Sequence, residues 1–298
     1  MSVHWAGVFP AVTTQFRQDQ SLDLAATARH LEAVIASGVS GLVVCGSLGE
    51  NQTLEADEKR QVVANAIKVA AGRVPIVAGV AETSTRAAVR FAHDCAKLGA
   101  SGFMVMPPMV YKADAGEAAA YFRAVAAATD LPWMLYNNPI GYTVDVPPEK
   151  LTEYADIDTL KAIKESSGDP RRVTEIRLAL GDRLAVFAGV DDLILESAIL
   201  GIDGWVAGSG IAFPAENQRI WNLTREGKWD DARKLYRWAA PLMKLDTHPK
   251  FVQYIKLLVQ EAGLGAEWVR EPRKPLAGAE RERVLTVIRR GFETRPVA

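Results

Sequence analysis

GVFPAVT (residues 7–13), LDLAATARHLEAVIAS (22–37), GLVVCG (41–46), EADEKRQVVANAIKVAAG (55–72), VPIVAGV (74–80), STRAAVRFAHDCAKLG (84–99) and GFMVM (102–106) follow one another early in the chain. Short apolar runs alternate with longer stretches whose apolar residues recur at helical spacing, which predicts strand, helix, strand, helix. The alternation continues through a helix near 117–129, then WMLYNN (133–138), LKAIKES (160–166), LAVFAGV (184–190) and GWVAGSG (204–210), for eight strand candidates. Runs that are apolar nearly throughout fit a parallel sheet buried on both faces. Eight such units in roughly 225 residues predict an α/β fold of the closed (β/α)8 TIM barrel type. An open doubly wound sheet is the alternative architecture.

Three segments share one punctuation: Ser37-Gly38-x-x-Gly41, Leu98-Gly99-x-x-Gly102 and Leu200-Gly201-x-x-Gly204. The first glycine is expected to stop a helix in the left-handed region and the second to open the next strand. This recurrence predicts one repeated architecture, a barrel over 1–226. Beyond it the strand signals stop, and 229–245, 248–263 and 278–292 read as three helices. They make a C-terminal appendage over 227–298 that could cover the barrel or build a subunit interface.

The 298 residues carry 35 basic and 36 acidic side chains, a formal charge of -1, so no global field draws the chain to nucleic acid or anionic lipid. No stretch approaches the roughly 18 apolar residues of a membrane span. The start, MSVHWAGVFP, lacks the basic-then-apolar order of a secretory leader. Cys45 and Cys95 are too few for a disulfide scaffold and suit a reducing compartment, so a cytoplasmic location is expected. His4, His30, His93 and His248 are scattered, with no metal-ligand spacing. There is no Walker A sequence, and GSGIAF lacks the last glycine of a dinucleotide fingerprint. No metal or cofactor is expected.

Catalytic groups of a barrel sit at the C-terminal ends of its strands. In LKAIKES, period-two alternation places Leu160, Ala162 and Lys164 on one face, with Lys164 late in the strand and pointing into the upper barrel. A lysine among apolar side chains loses solvation of its ammonium form, which lowers its pKa and frees the amine as a nucleophile toward a ketone. A structural lysine paired with a carboxylate is equally compatible with the position. Tyr136 ends the preceding strand on the face of Met134, where its hydroxyl could move protons or be a satisfied barrel phenol. Gly46 and Gly49 flank Ser47 and Leu48 in a turn whose amides could approach a carboxylate and whose serine could relay a proton; surface turns look alike. Glu50 is expected to hold that loop or cap the next helix, and Cys45 to be a small buried residue.

GSLGE at 46–50, YNNP at 136–139 and IKESSGD at 163–169, in that order on the second, fifth and sixth strands, resemble the dihydrodipicolinate synthase/N-acetylneuraminate lyase family. The resemblance runs through essentially the whole chain. It implies a class I aldolase-type barrel, usually a homotetramer, whose lysine forms a Schiff base with a 2-oxo acid. On this likeness Lys164 is the covalent nucleophile, Tyr136 the catalytic tyrosine and Ser47 the first relay hydroxyl. Gly46, Ser47, Leu48 and Val206 are the implied substrate-binding positions, with the amides of Ser47 and Leu48 holding a carboxylate.

The chain departs from the lysine-biosynthetic synthases at three places. Leu48 replaces a second threonine, Met109 stands where a neighbouring subunit's relay tyrosine is expected, and Ile140-Gly141-Tyr142 lacks their arginine for a second carboxylate. The three-hydroxyl relay is therefore expected to be incomplete unless Tyr111 substitutes. GSLGENQTL, PPMVY, YNNP, GWVAG and FPAENQ look most like the deaminases that convert 1-pyrroline-4-hydroxy-2-carboxylate in hydroxyproline catabolism. The alternatives are a 2-keto-3-deoxy sugar-acid aldolase or dehydratase, a dihydrodipicolinate synthase, and a non-catalytic barrel that binds an oxo acid as a regulator.

Overall fold

The computed structural model describes residues 2–108 and 111–296. Eight parallel strands follow one another in sequence: β1 (Gly7–Val8), β2 (Leu42–Val44), β3 (Ile76–Val80), β4 (Gly102–Val105), β5 (Trp133–Asn137), β6 (Leu160–Glu165), β7 (Ala185–Ala188) and β8 (Gly204–Trp205). From β2 to β8 each pairs with the next in chain order, and β1 pairs with β8. Pro10 has no N–H to give a ladder, and β1 stops at Val8. The ring closes just beyond it, where the Val43 amide donates to the Pro10 carbonyl at 2.9 Å and Ala11 bridges Val43. The expected (β/α)8 TIM barrel is the observed fold.

The helices of the barrel are α1 (Leu24–Ala36), α2 (Ala56–Ala70), α3 (Thr85–Leu98), α4 (Ala115–Ala126), the short α5 (Pro139–Tyr142) and α6 (Pro148–Leu151), α7 (Arg171–Leu180), α8 (Ile194–Ile199) and α9 (Pro214–Arg225). The fourth starts two residues before the predicted position. Asp114 caps it, accepting from the Glu117 amide while Glu117 accepts from the Asp114 amide, so two otherwise unpaired donors are satisfied reciprocally. Then come α10 (Trp229–Met243), α11 (Phe251–Glu261) and α12 (Gly278–Glu293).

The glycine punctuation has the predicted geometry. Gly38, Gly99 and Gly201 all have φ between 83° and 99°, a region that costs a side-chain-bearing residue energy. Their partners open strands where a Cβ would collide: at Gly41 with the Phe9 ring at 2.2 Å and at Gly204 with the Phe187 ring at 2.2 Å. The space so released is filled by those two rings, which meet edge to face with centroids 5.4 Å apart and plug the N-terminal end of the barrel.

Two apolar compartments result. One, between sheet and helices, extends into the C-terminal helices; the other is the barrel interior, with Phe9, Val43, Met104, Met134, Ala162 and Val206 among its members. Strand parity holds for Tyr136 with Met134 and for Lys164 with Ala162, but Leu160 is a correction. Trp133 pairs with Leu160 while Met134 pairs with Ala162, so Lys161 is an extra residue in β6. This bulge turns Leu160 to the outer compartment.

The C-terminal helices are fastened to the loop after β2. Lys256 on α11 and Glu50 are both fully buried and pair at 2.6 Å, Lys256 also donates to the Trp268 carbonyl at 2.6 Å, and the Arg270 amide donates to Glu50 at 3.0 Å. Burial pulls the Lys256 pKa down to about 8, and Glu50 opposes the shift. Removing one partner of such a pair strands a buried charge. Lys256→Met is therefore expected to lower unfolding free energy by about 3–5 kcal/mol in urea titration, at the lower end because Arg273 lies 3.8 Å from Glu50.

Candidate active site

The C-terminal ends of β2, β5, β6, β7 and β8 meet around Lys164. Its side chain is 6% exposed and its ammonium sits 4.0 Å from the centre of the Tyr136 ring. Gly189, just after β7, makes the room: a Cβ there would meet Lys164 Cε at 2.6 Å and Ser166 Oγ at 1.9 Å. The described residues include three buried lysines, Lys59, Lys164 and Lys256. Lys59 pairs with Glu82 at 2.7 Å and Lys256 with Glu50, whereas Lys164 has no carboxylate of the described residues within 4.0 Å. Burial lowers the Lys164 pKa, opposed by Tyr142, Asp246 and Asp191. A buried amine with no counter-ion in contact is the state in which nitrogen keeps its lone pair.

The YNNP segment positions its own tyrosine. Asn138 caps α5 by accepting from the Gly141 amide at 2.9 Å, and its amide nitrogen donates to the Tyr136 hydroxyl at 3.1 Å. Asn137 donates to Glu165 at 3.0 Å and accepts from the Val146 amide at 2.9 Å, locking the ends of β5 and β6 together. Because α5 is capped there, Tyr142 swings over the mouth. Its ring meets Tyr136 edge to face at 5.5 Å, and its hydroxyl is hydrogen-bonded to Ser47 Oγ. Burial raises the pKa of both tyrosines. Tyr142, from the segment noted in the sequence for the arginine it lacks, brings a third hydroxyl beside Ser47 and Tyr136 from the same chain. Met109 lies outside the described residues, and Tyr111 is exposed.

The loop carrying Ser47 is wound tightly. Cys45 and Glu50 both take positive φ, Asn51 donates to the Cys45 carbonyl at 2.9 Å, and Thr14 donates to the Gly49 carbonyl at 2.7 Å. The Ser47 and Leu48 amides donate to no backbone carbonyl among the described residues. Ser47 is half-buried at the mouth, and Gly46 faces Met104, 3.5 Å from where its Cβ would stand. The Leu48 side chain, 3% exposed, packs away into the outer compartment. Val206 is buried in the barrel interior, and its amide donates to the Ala188 carbonyl at 2.9 Å. Cys45 is fully buried, and burial raises its thiol pKa to about 12.

Two carboxyls complete the mouth, and neither was singled out from sequence. Asp191, after β7, is fully buried and accepts from Trp205 Nε1 at 3.0 Å, the Ser209 amide at 2.7 Å and Ser209 Oγ at 2.5 Å. Its place at the end of a barrel strand was a readable signal. Asp246 comes from the turn between α10 and α11 and lies against Gly208, where a Cβ would meet its carboxyl at 2.5 Å. No sequence pattern pointed to it. Burial and Asp191 raise the Asp246 pKa to about 8, while Lys164 opposes the shift. The two arginines that open α7 after β6 are committed elsewhere, Arg172 to Asp145 at 2.7 and 2.8 Å and Arg171 to Asp169. A wide surface groove of about 750 Å³, lined by Gln52, Lys250, Arg273 and Glu280 among others, holds none of these groups.

The model of the dihydrodipicolinate synthetase family matches residues 4–290. The chain belongs to that family. It is 31% identical over 288 residues to a 4-hydroxy-tetrahydrodipicolinate synthase of Methanosarcina mazei, covering 95% of this chain and 97% of the relative. It is also similar to the solved dihydrodipicolinate synthase of Bacillus anthracis, with a TM-score of 0.92, 27% identity, and 99% and 100% of the two chains covered. The dihydrodipicolinate synthase of Acinetobacter baumannii, solved with pyruvate, aligns at a TM-score of 0.89 with 28% identity over 96% and 99% of the chains. No helix among the described residues is long and apolar enough to cross a membrane.

Proposed function

We propose that this family member is a Schiff-base-forming deaminase that converts 1-pyrroline-4-hydroxy-2-carboxylate to 2,5-dioxopentanoate and ammonia, with Lys164 as nucleophile and Tyr136 and Ser47 as proton carriers. The observation that carries the reading is the composition of the mouth. A three-hydroxyl set, Ser47, Tyr142 and Tyr136, stands beside an unpaired buried lysine, with two carboxyls nearby and the neighbouring arginines already paired. Such a mouth suits a substrate with one carboxylate and a basic nitrogen. A second carboxylate would meet Asp191 and Asp246 without a guanidinium to offset them.

In this mechanism the Lys164 amine attacks C2 of the cyclic imine, the ring opens, and an acyclic imine on Lys164 carries the former ring nitrogen at C5. The protonated imine draws electron density from the C3–H bond, Tyr136 takes that proton, and hydroxide leaves C4 as water after protonation through the Ser47–Tyr142 pair. Tautomerisation moves unsaturation to C5, and hydrolysis releases ammonia from C5 and Lys164 from C2. The electron sink is the protonated imine, so the route calls for no metal or cofactor. The amides of Ser47 and Leu48 would receive the substrate carboxylate, with Gly46 and Val206 shaping the floor. Exposed Leu178 on α7 and Ile199 on α8 would serve contacts in a homotetramer.

A synthase is the second reading, favoured by the names of relatives such as the Methanosarcina mazei protein. The purified protein is expected to release ammonia and the semialdehyde in equal amounts from the pyrroline, without nucleotide and after exhaustive chelation. Condensation of pyruvate with aspartate semialdehyde, and no ammonia from the pyrroline, would select the synthase. Pyruvate released from a 2-keto-3-deoxy sugar acid would select the aldolase.

A further inference from the structure

The mouth has two sides with different chemistry. From β5, α5 and the β2 loop come the hydroxyls; from the loop after β7 and the turn between α10 and α11 come the carboxyls. Of the two carboxyls, Asp191 is used up by Trp205, Ser209 and two backbone amides. Asp246 is different. It is half-buried, no hydrogen bond from the described residues reaches its carboxyl, and its environment consists of burial and the charges of Asp191, Lys164 and Asp192. The side chain is held by shape, because the missing Cβ of Gly208 is the space its carboxyl occupies. In the proposed reaction the hydroxyls serve the carbon skeleton, so a free carboxyl neighbouring Lys164 has no assigned partner.

We propose that Asp246 is a catalytic acid for the substrate nitrogen, giving the proton that lets the ring nitrogen leave C2 when Lys164 replaces it. This rests on the deaminase reading and deepens it. When the neutral Lys164 amine bonds to C2, the C2=N π electrons move to the ring nitrogen, which takes the Asp246 proton. A second proton passes from the Lys164 nitrogen to the ring nitrogen, and the Lys164 lone pair then expels it by breaking the C2–N bond. The products are a protonated Lys164 imine, a primary amine at C5 and an Asp246 carboxylate. Three protons and zero net charge are conserved among these groups. The raised pKa of Asp246 suits the step, since a carboxyl that is partly protonated near neutrality can both give and recover a proton.

The step belongs only to a cyclic imine. Pyruvate forms its imine on Lys164 by losing water and has no nitrogen to expel. Borohydride trapping with each compound therefore separates a chemical role from a packing role. Wild type is expected to release ammonia from the pyrroline; if it releases none, the deaminase reading itself falls. With that activity present, Asp246→Asn should still be trapped by pyruvate at Lys164, yet lose turnover of the pyrroline by about 10²- to 10⁴-fold. It should also lose the pyrroline adduct. Asp246→Ala, which empties the space beside Gly208, should show the same selective loss. Near-normal pyrroline turnover in both variants, or equal losses with pyruvate and pyrroline in both, would overturn the assignment while leaving the deaminase reading intact.

Discussion

Lys164→Ala is expected to leave a folded barrel with no detectable turnover of any imine or 2-oxo acid substrate. The effect is large because no other amine is placed to substitute: Lys59 and Lys256 are locked in ion pairs, and Lys161 is the exposed extra residue of the β6 bulge. The fold should survive, since a buried amine with no ion pair contributes little and the cost of burying it is removed with it. Sodium borohydride added with substrate should trap the wild-type protein irreversibly, and peptide mass mapping should place the added mass on Lys164. Modification confined to a different lysine would end this account of the chemistry.

Removing one oxygen from Tyr136 should cost nearly as much. Tyr136→Phe keeps the ring that supports the Lys164 ammonium at 4.0 Å and the edge contact with Tyr142 at 5.5 Å, so thermal stability should shift little. What disappears is the hydroxyl that Asn138 aims and that stands next in line after Ser47 and Tyr142. A positioned acid-base group is worth about 10²–10⁴-fold in rate. Single-turnover measurement, in which chemistry and not product release limits the signal, is the assay that reads it. A rate within a factor of a few of wild type would show that another group carries the proton.

The barrel was legible because its signals are local. A glycine that must take positive φ and another that must admit a phenyl ring leave their mark within four residues, as at Gly38 and Gly41. Lys164 and Tyr136 were legible for a related reason: period two and a late position in a strand fix where a side chain points. The same rule failed at Leu160, because a bulge adds one residue without a composition signal. Tyr142 and Asp246 were not legible as members of the site. Tyr142 reaches Ser47 only because Asn138 caps α5, a contact spanning 95 positions. Asp246 belongs to a turn in the helical tail, where neither strand parity nor helical periodicity says which way a residue faces.

The fastening of the tail to the β2 loop bears on how such a protein can change. Arg270 and Glu50 touch across 220 positions of chain, and Asp246 enters the mouth from that same tail. A barrel grafted without its own tail would strand Glu50 and open the mouth beside Gly208. Swaps between relatives should therefore succeed only when loop and tail travel together.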